Sequence, residues 1–435
     1  MELIVGQKIH GFTVTALRNV AELEGRLVEM TFDRTGTALC WFDDGSENKL
    51  FCVGFKTIPE DSTGVFHILE HTVLNGSDNY PVKEPFVELL KGSLNTFLNA
   101  MTFPDKTIYP VSSCNTRDFL NLTRVYLDAV FHPLIGKNQN IFRQEGWHIE
   151  LTDRDEKPVY KGVVFNEMKG ATSSVDDVVE EGVSAMLYPD TCYRHNSGGD
   201  PEVIPTLTYE KYLETYDRFY HPSNARIWLD GAIPLEETLS LLEEYLSAYT
   251  YLAEEHDIPY QELLPAMHHT VVSELAEGET PENHTQLVFG RVVADWHQSE
   301  RIMALEVLCE VLCGSNETPL SRAILEKQLG QEVTMQVMDS LSQPYMSLRI
   351  HNTDNDKEEA IRAVLRETVG RLTTEGIDRK ELEATLNKLE FEVHQPREPQ
   401  GLIRCIKAFD TWLYGGDPVE GIVHDAGFAF LREQL

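Results

Sequence analysis

The chain has 435 residues, of which 42% are hydrophobic and 25% are charged, as in an ordinary globular protein of one large domain or two smaller ones. Its 71 acidic residues outnumber its 37 basic residues, so the formal net charge is −34 at pH 7. Nucleic acids and anionic membranes bind to basic surfaces, so this balance argues against either as a partner. Solubility is the ordinary reason for such a charge, and an acidic cavity that attracts cationic substrates is the alternative.

Seven cysteines are scattered through the chain without a CxxC pair. Such sparse cysteines are typical of reduced thiols rather than of a disulfide framework. The first residues, MELIVGQKIHGFTV, lack the basic and then apolar pattern of a secretory signal, and no apolar run reaches the length that spans a bilayer. The sequence therefore predicts a cytoplasmic protein.

The first part of the chain begins with predicted strands and continues into a helix. Residues 25–55 alternate apolar and polar side chains around two turns, DRTG and DDGS, which is typical of strands joined by hairpins. The polar segment 59–63 then supplies helix-capping residues, and Asn75–Gly76 is a typical helix end, so a helix is predicted between them. Residues 88–107 have the pattern of a helix end followed by a strand, and a helical period returns after Asp118.

A weaker copy of the segment Leu74–Val82, LNGSDNYPV, occurs at Leu312–Leu320 as LCGSNETPL. The glycines of the two segments are 314 − 76 = 238 positions apart. We interpret this echo as two homologous α+β domains, residues 1–250 and 251–435, joined through a stretch rich in Glu and Pro. Chance similarity is the alternative.

The predicted helix in GVFHILEHTVLNGS contains His67, Glu70 and His71 in an otherwise apolar run. Residues four apart lie on one face of a helix, so the two histidines can present imidazole nitrogens to one ion at the distance that Zn²⁺ prefers. Glu70 projects beside them and suits a general base. The order HxxEH is the inverse of HExxH and is typical of the inverted zinc peptidases. Two surface histidines with a chance glutamate are the alternative, which the apolar neighbours disfavour.

The second copy lacks these ionisable groups, because the offset of 238 places the three positions on Leu305, Leu308 and Cys309. Such residues are ordinary in a core helix. We therefore expect a metal site in residues 1–250 and none in residues 251–435.

A catalytic zinc takes three protein ligands and leaves its fourth position to water, so a third ligand is needed. Glu167 is a candidate, because it follows the apolar run GVVF and opens a helical stretch in which a carboxylate needs a partner. An ordinary glutamate near the start of a helix, favoured by the helix dipole, is the alternative. Spacing alone leaves this choice open.

Several segments together closely resemble one known family. They are HILEHTVLNGSDNYPVKEPFVELLKGSLNTFLNAMTFPDKTIYPV, GVVFNEMKG, NSGGDP and FYHPSNA. They resemble the M16 inverzincin metallopeptidases, and within them the N-terminal half of the presequence-protease and falcilysin branch. The resemblance implies a zinc ion bound by His67, His71 and Glu167, with Glu70 as the base. It also implies domains that each consist of a curved, mostly antiparallel sheet with helices packed on one side.

The resemblance further implies how substrate and partner bind. The family cleaves unstructured peptides that bind as an added strand to a sheet edge. The segment that matches this edge is Ser93–Ala100, and the matching substrate-binding residues are Asn95, Asn99 and Ala100. An exposed edge offers main-chain hydrogen bonds with little demand on sequence, whereas an edge strand whose asparagines only end the pairing is the alternative. A second, similar half or a partner subunit closes the chamber in this family, so we expect the chain to be a fragment that is poorly active alone.

Three functions are compatible with these features. The first is a zinc metalloendopeptidase for unstructured peptides, and the second is a small-molecule amidase at the same metal site, which the strand-binding segment disfavours. The third is a non-catalytic member of the fold that serves as a scaffold or peptide-binding module. Such members typically lose a ligand or the base, whereas His67, Glu70, His71 and Glu167 are all present. The sequence therefore favours the endopeptidase.

Overall fold

The computed structural model describes residues 2–83, 85–172, 174–254, 256–273, 275 and 278–435. The chain divides into two compact units. Unit 1 comprises residues 1–174, 195–259 and 397–406, and unit 2 comprises residues 175–194, 260–396 and 407–435. Each unit thus includes sequence from both sides of residue 250, and the division into domains 1–250 and 251–435 remains a prediction.

Both units combine strands and helices, which confirms the predicted α+β class. The strands of the described ranges are β1 (Lys8–Ile9), β2 (Phe12–Val20), β3 (Gly25–Phe32), β4 (Ala38–Asp43), β5 (Lys49–Lys56), β6 (Asn95–Leu98), β7 (Met101–Thr102), β8 (Lys106–Ser113), β9 (His148–Glu150), β10 (Val159–Lys161), β11 (Ala225–Asp230), β12 (Thr285–Val292), β13 (Glu332–Met338) and β14 (Tyr345–Thr353). The α-helices of these ranges are α1 (Val65–Val73), α2 (Pro85–Gly92), α3 (Thr116–Phe131), α4 (Gln139–Glu145), α5 (Val163–Ala171), α6 (Val175–Leu187), α7 (Tyr209–Phe219), α8 (Leu235–Leu246), α9 (Ser299–Cys313), α10 (Pro319–Glu326), α11 (Glu358–Glu375), α12 (Arg379–His394), α13 (Gln400–Trp412) and α14 (Asp425–Gln434). Within the described ranges, no helix combines the length and the apolar character needed to cross a membrane.

One large sheet forms the framework of unit 1. Its strands follow the order β1-β2-β3-β4-β11-β5-β8-β6, and β7 also pairs with β8. Every pairing is antiparallel except that between β11 and β4. The strands predicted in residues 25–55 are confirmed as β3, β4 and β5, whose buried side chains contribute to the core. β6 is the last strand in this order, so among the described residues only one of its two edges is paired.

The helix α1 is a core helix of unit 1, and it lies between the two capping segments that the sequence indicated. Gly64 precedes it in the left-handed region at φ 65°, and a Cβ at this position would lie 2.5 Å from the carbonyl oxygen of Gly198. Seven of its nine residues are buried. The buried hydroxyl of Tyr212 on α7 donates to Oγ1 of Thr72 at 2.6 Å. Any polar group on α1 therefore needs a partner within the protein.

Unit 2 contains a smaller antiparallel sheet in the order β12-β14-β13. Its core includes Leu312 of α9, Ile324 of α10 and Ile350 of β14. The order α9, α10, β13, β14, α11 repeats the order α1, α2, β6, β8, α3 of unit 1, apart from the two-residue strand β7. Both copies therefore have the succession of helix, helix, strand, strand and helix that the sequence echo indicated.

A buried ion pair in unit 1 joins α13 to β11. Arg404 donates to both carboxylate oxygens of Asp230, from Nε at 2.9 Å and from Nη2 at 2.5 Å, and Nη2 also donates to Asp44 at 2.8 Å. Only 1% of the Asp230 side chain and 12% of the Arg404 side chain are exposed. Burial raises the pKa of Asp230 to about 6, although Arg404 acts to lower it. The stability of this buried charge therefore depends on the guanidinium of Arg404.

We expect Arg404→Met to lower the free energy of unfolding by about 3 kcal/mol, because two carboxylates lose their cation. Chemical denaturation measures this loss, and adding Asp230→Asn should restore part of it by removing the buried charge. Arg124→Met is the matched control, because it breaks an exposed pair with Glu244 and should cost less than about 1 kcal/mol. Equal losses in the two single variants would contradict this account.

Candidate metal centre

The first part of the site is the pair of histidines on α1. His67 and His71 lie one turn apart on the same face, with ring centroids 4.9 Å apart and ring planes at 78°. Both are largely shielded from solvent, with 11% of the His67 side chain and 24% of the His71 side chain exposed. The helical period therefore brings the two imidazoles together inside the protein.

Glu167 reaches the same place from α5. Its Oε1 lies 3.7 Å from Nε2 of His67, and its Oε2 lies 3.8 Å from Nε2 of His71. One donor atom of each residue lies within 4.8 Å of the donor atoms of the other two. About half of the Glu167 side chain is exposed, so the cluster is accessible to water on this side.

The geometry of these three donors is compatible with a bound zinc ion. Ligand atoms about 2 Å from a tetrahedral zinc are roughly 3.3 Å apart, which is close to the observed separations of 3.7 and 3.8 Å. Two imidazole nitrogens and one carboxylate oxygen form a donor set found in catalytic zinc sites, which keep a further position for water. The residues present therefore fit the metal that the sequence motif implies.

The other nitrogen of each histidine is held by a hydrogen-bond partner. Nδ1 of His67 donates to the carbonyl oxygen of Gly198 at 2.9 Å. Nδ1 of His71 lies 3.3 Å from Oε2 of Glu145 at the end of α4. These contacts favour the tautomer with the proton on Nδ1, which leaves Nε2 of each ring for a metal. Gly198 and Glu145 are therefore part of the site.

Neither of these two residues is among the candidates that the sequence patterns indicate. Gly198 and Gly199 form a pair, and paired glycines often mark a close approach of the backbone to another element, here to the start of α1. Glu145 is a carboxylate flanked by aromatic residues in the run FRQEGW. Its immediate neighbours, Arg143, Gln144 and Gly146, are not apolar, so it lacks the apolar run that indicated Glu167.

Charged neighbours affect the protonation of His71. Burial acts to lower the pKa of this imidazole, but the hydrogen bond with Glu145 and the negative charges of Glu70 and Glu167 outweigh it and raise the pKa above its usual value. Three carboxylates thus act on one imidazole. Such a cluster attracts a cation.

Glu70 lies beside the three donors rather than among them. Its Oε2 accepts a hydrogen bond from Oγ1 of Thr102 on β7 at 2.6 Å. This contact fixes one oxygen of the carboxylate in position. Among the described residues no other hydrogen bond holds Glu70, so its second oxygen is available to a water molecule.

Two of the predicted substrate-binding residues lie on the sheet edge next to Glu70. The N–H of Asn99 donates to a carbonyl of β8 at 3.3 Å, and its own carbonyl accepts from the hydroxyl of Tyr126 at 3.2 Å. The side chain of Asn99 is exposed, whereas Ala100 is buried. Two residues further on, Thr102 contacts Glu70, so this edge passes directly beside the site.

Asn95, the third predicted substrate-binding residue, lies at the other end of β6. Its side-chain amide donates to Oγ of Ser93 at 2.8 Å and to the carbonyl oxygen of Leu89 at 3.4 Å. These contacts connect β6 to the end of α2. The role of Asn95 in substrate binding remains a prediction.

Sequence comparison relates the chain to longer proteins over nearly its whole length. It is 40% identical to "Protein HypA" of Clostridium perfringens (strain 13 / Type A) and 38% identical to "Presequence protease 1, chloroplastic/mitochondrial" of Arabidopsis thaliana, in both cases over 98% of the chain. It is 36% identical to "Presequence protease, mitochondrial" of Mus musculus over 96% of the chain. These matches cover 44%, 40% and 41% of the three relatives, so the chain spans about two fifths of their length.

Solved structures share the fold. Pitrilysin matches with a TM-score of 0.66 at 16% identity, over 98% of this chain and 45% of that chain. A peptidase M16 inactive domain from Pseudomonas fluorescens matches with a TM-score of 0.69 at 14% identity, over 94% of this chain and 92% of that chain. The family model described as "Peptidase M16 inactive domain" matches residues 206–389, a range that excludes the three donors. The chain therefore carries an M16 peptidase family domain in residues 206–389, is homologous to presequence proteases over nearly its whole length, and shares its fold with M16 peptidases of known structure.

Proposed function

We propose that this chain carries the catalytic site of a zinc-dependent endopeptidase that hydrolyses unstructured peptides. The observation that supports this most directly is the convergence of His67 and His71 from α1 with Glu167 from α5, next to Glu70. The relatives named as presequence proteases support peptide hydrolysis rather than small-molecule amide hydrolysis.

The proposed chemistry is attack of an activated water on a peptide carbonyl. A bound zinc lowers the pKa of water and polarises the scissile carbonyl. His67 and His71 would hold the ion through Nε2, and Glu167 would hold it through a carboxylate oxygen. Glu70, positioned by Thr102, would accept a proton from the attacking water and deliver it to the leaving amine.

The proposed substrate site is the outer edge of β6 and its continuation through Asn99 and Ala100. The N–H of Asn99 points to β8, so in an extended strand the N–H groups of Leu98 and Ala100 point to the opposite, outer edge. Such an edge binds an extended peptide through its main chain, with little demand on its side chains. The same edge continues to Thr102, so a peptide bound along it would pass Glu70.

The proposal also concerns the protein beyond this chain. Because the chain spans about two fifths of its relatives, we propose that a second half or a partner subunit encloses the peptide and completes stabilisation of the transition state. A cytoplasmic location is proposed from the cysteine pattern. A non-catalytic peptide-binding module is the competing function, and the match to a model described as inactive is the observation that favours it, although that match covers residues 206–389 only.

Zinc binding tests the three ligands directly. Metal analysis and calorimetric titration should find about one zinc per wild-type chain, and His67→Ala, His71→Ala and Glu167→Gln should each weaken binding at least about 100-fold, because the site has only three protein ligands. Zinc should raise the melting temperature of the wild type but not that of the three ligand variants, since a ligand of the folded state stabilises it. His132→Ala changes a histidine outside the cluster and should bind zinc normally. A folded wild-type chain that binds no zinc would contradict the proposal.

Glu70→Gln separates catalysis from metal binding. An amide cannot accept the proton, so we expect hydrolysis of an unstructured peptide to fall about 10³-fold while zinc binding is retained. The assay uses the complete gene product that contains this chain, with Glu150→Gln as the control because that glutamate is exposed on β9. Unchanged turnover in Glu70→Gln would exclude it as the base. A wild-type protein that binds zinc and peptide without cleavage would favour the peptide-binding module.

If the peptide binds through its main chain, its backbone should contribute more to binding than its side chains do. N-methylation of the peptide near the scissile bond should raise KM about 3- to 10-fold for each hydrogen bond lost. The effect should occur at every second residue, because alternate residues of a strand face one edge. Alanine substitutions at the same positions are the control and should have smaller effects. If alanine substitutions raise KM as much as N-methylation, the peptide does not bind as an added strand.

A further inference from the structure

Glu145 is a buried carboxylate that has no role in the proposed reaction. It is the last residue of α4, and only 8% of its side chain is exposed. Its Oε2 lies 3.3 Å from Nδ1 of His71, and its Oε1 accepts from Nε2 of Gln144 at 3.0 Å. Burying a carboxylate is costly unless hydrogen bonds and a cation compensate for the lost water. The free-energy cost of burying Glu145 must therefore be offset by an interaction, and the basic side chain that it contacts is His71.

The two imidazoles differ in what holds their Nδ1 atoms. His67 donates to a neutral backbone carbonyl, that of Gly198, whereas His71 faces the carboxylate of Glu145. A hydrogen bond to a carboxylate is stronger than one to a neutral acceptor and makes the opposite ring nitrogen a better metal ligand. In His71 that nitrogen is Nε2, which faces Glu167.

The backbone next to Glu145 connects the helices of the site. A Cβ on Gly146 would lie 3.2 Å from Cγ2 of Ile68 on α1. A Cβ on Gly162, which precedes α5, would lie 2.0 Å from the carbonyl oxygen of Gly146. Glycine at both positions therefore allows the end of α4 to contact α1 on one side and the start of α5 on the other. The junction that positions Glu145 also positions the helix of Glu167.

From these contacts we propose that Glu145 is a positioning residue for the metal, which fixes the ring and tautomer of His71 and strengthens its Nε2 as a ligand. This inference rests on the proposed function, because it requires that His71 bind zinc. It adds to that function a carboxylate that touches neither metal nor substrate. Replacing Glu145 should therefore weaken metal binding, whereas a structural carboxylate would stabilise the fold with or without the metal.

The test compares zinc affinity with the stability of the metal-free chain. We expect Glu145→Gln to weaken zinc binding about 10- to 100-fold in a chelator-competition titration, because the ligand His71 loses its anionic partner. The melting temperature of the metal-free chain should change little, since a glutamine of the same shape still accepts a hydrogen bond through its amide oxygen. The visible absorption spectrum of the Co²⁺-substituted chain should also change, because it reports the ligand field at the metal, to which His71 contributes.

Two further variants control for effects on the fold. Glu150→Gln neutralises an exposed glutamate on β9 and should change neither zinc affinity nor stability. Glu145→Asp keeps the charge and should retain part of the affinity that Glu145→Ala loses.

The outcomes distinguish this inference from the proposed function. A wild-type chain that binds zinc, with a Glu145→Gln variant whose affinity is within about threefold of it and whose Co²⁺ spectrum is unchanged, would overturn the role of Glu145 alone. A Glu145→Gln variant whose metal-free form loses stability in proportion to its zinc affinity would also overturn it, in favour of a structural role. A wild-type chain that binds no zinc would overturn the proposed function and this inference together.

Discussion

The close approach of three carboxylates and two imidazoles on and around a core helix is the constraint on which the site depends. His67 and Glu145 are buried, and the carboxylates of Glu70 and Glu167 lie close enough to raise the pKa of His71. Carboxylates gathered around one imidazole repel one another, and a divalent cation bound among them would relieve that repulsion. If zinc binds here, part of its binding free energy becomes stability of unit 1.

The groups of the site come from separate segments, so the fold must hold several distances at once. α1 supplies both histidines, whereas α4, α5, β7 and the turn at Gly198 each supply one further group. The segments approach closely where side chains are absent, at Gly64 against Gly198 and at Gly162 against Gly146. A methyl group at either contact would displace a whole helix or turn, and the ligand positions depend on these backbone contacts as much as on the ligands themselves.

Helical periodicity explains why the pair on α1 could be predicted from the sequence and the other groups could not. His67 and His71 are brought together by the geometry of one helix. Glu167 and Glu145 reach them through the packing of different helices, and no spacing rule predicts which distant carboxylate lies beside the histidines. For Glu167 an apolar neighbourhood and a family resemblance indicated one candidate, whereas Glu145, next to Gln144 and Gly146, carries no such local signal. The strands and the repeated element order could be predicted because the alternation and the echo are visible in the sequence itself. Which segments of the chain belong to which unit depends instead on tertiary contacts, and each unit includes sequence from both sides of residue 250.

The second copy shows which features of this helix the fold itself requires. At the offset 305 − 67 = 238, α9 has Leu305, Leu308 and Cys309 where α1 has its histidines and glutamate. Cys309 is buried, and burial raises the pKa of its thiol to about 12, so it stays uncharged at neutral pH. Since α9 holds the same place in the order of elements with no charged group at these positions, the ionisable residues of α1 are not needed to build the helix. Their partial burial therefore costs free energy that folding alone does not require, and a bound cation would offset that cost.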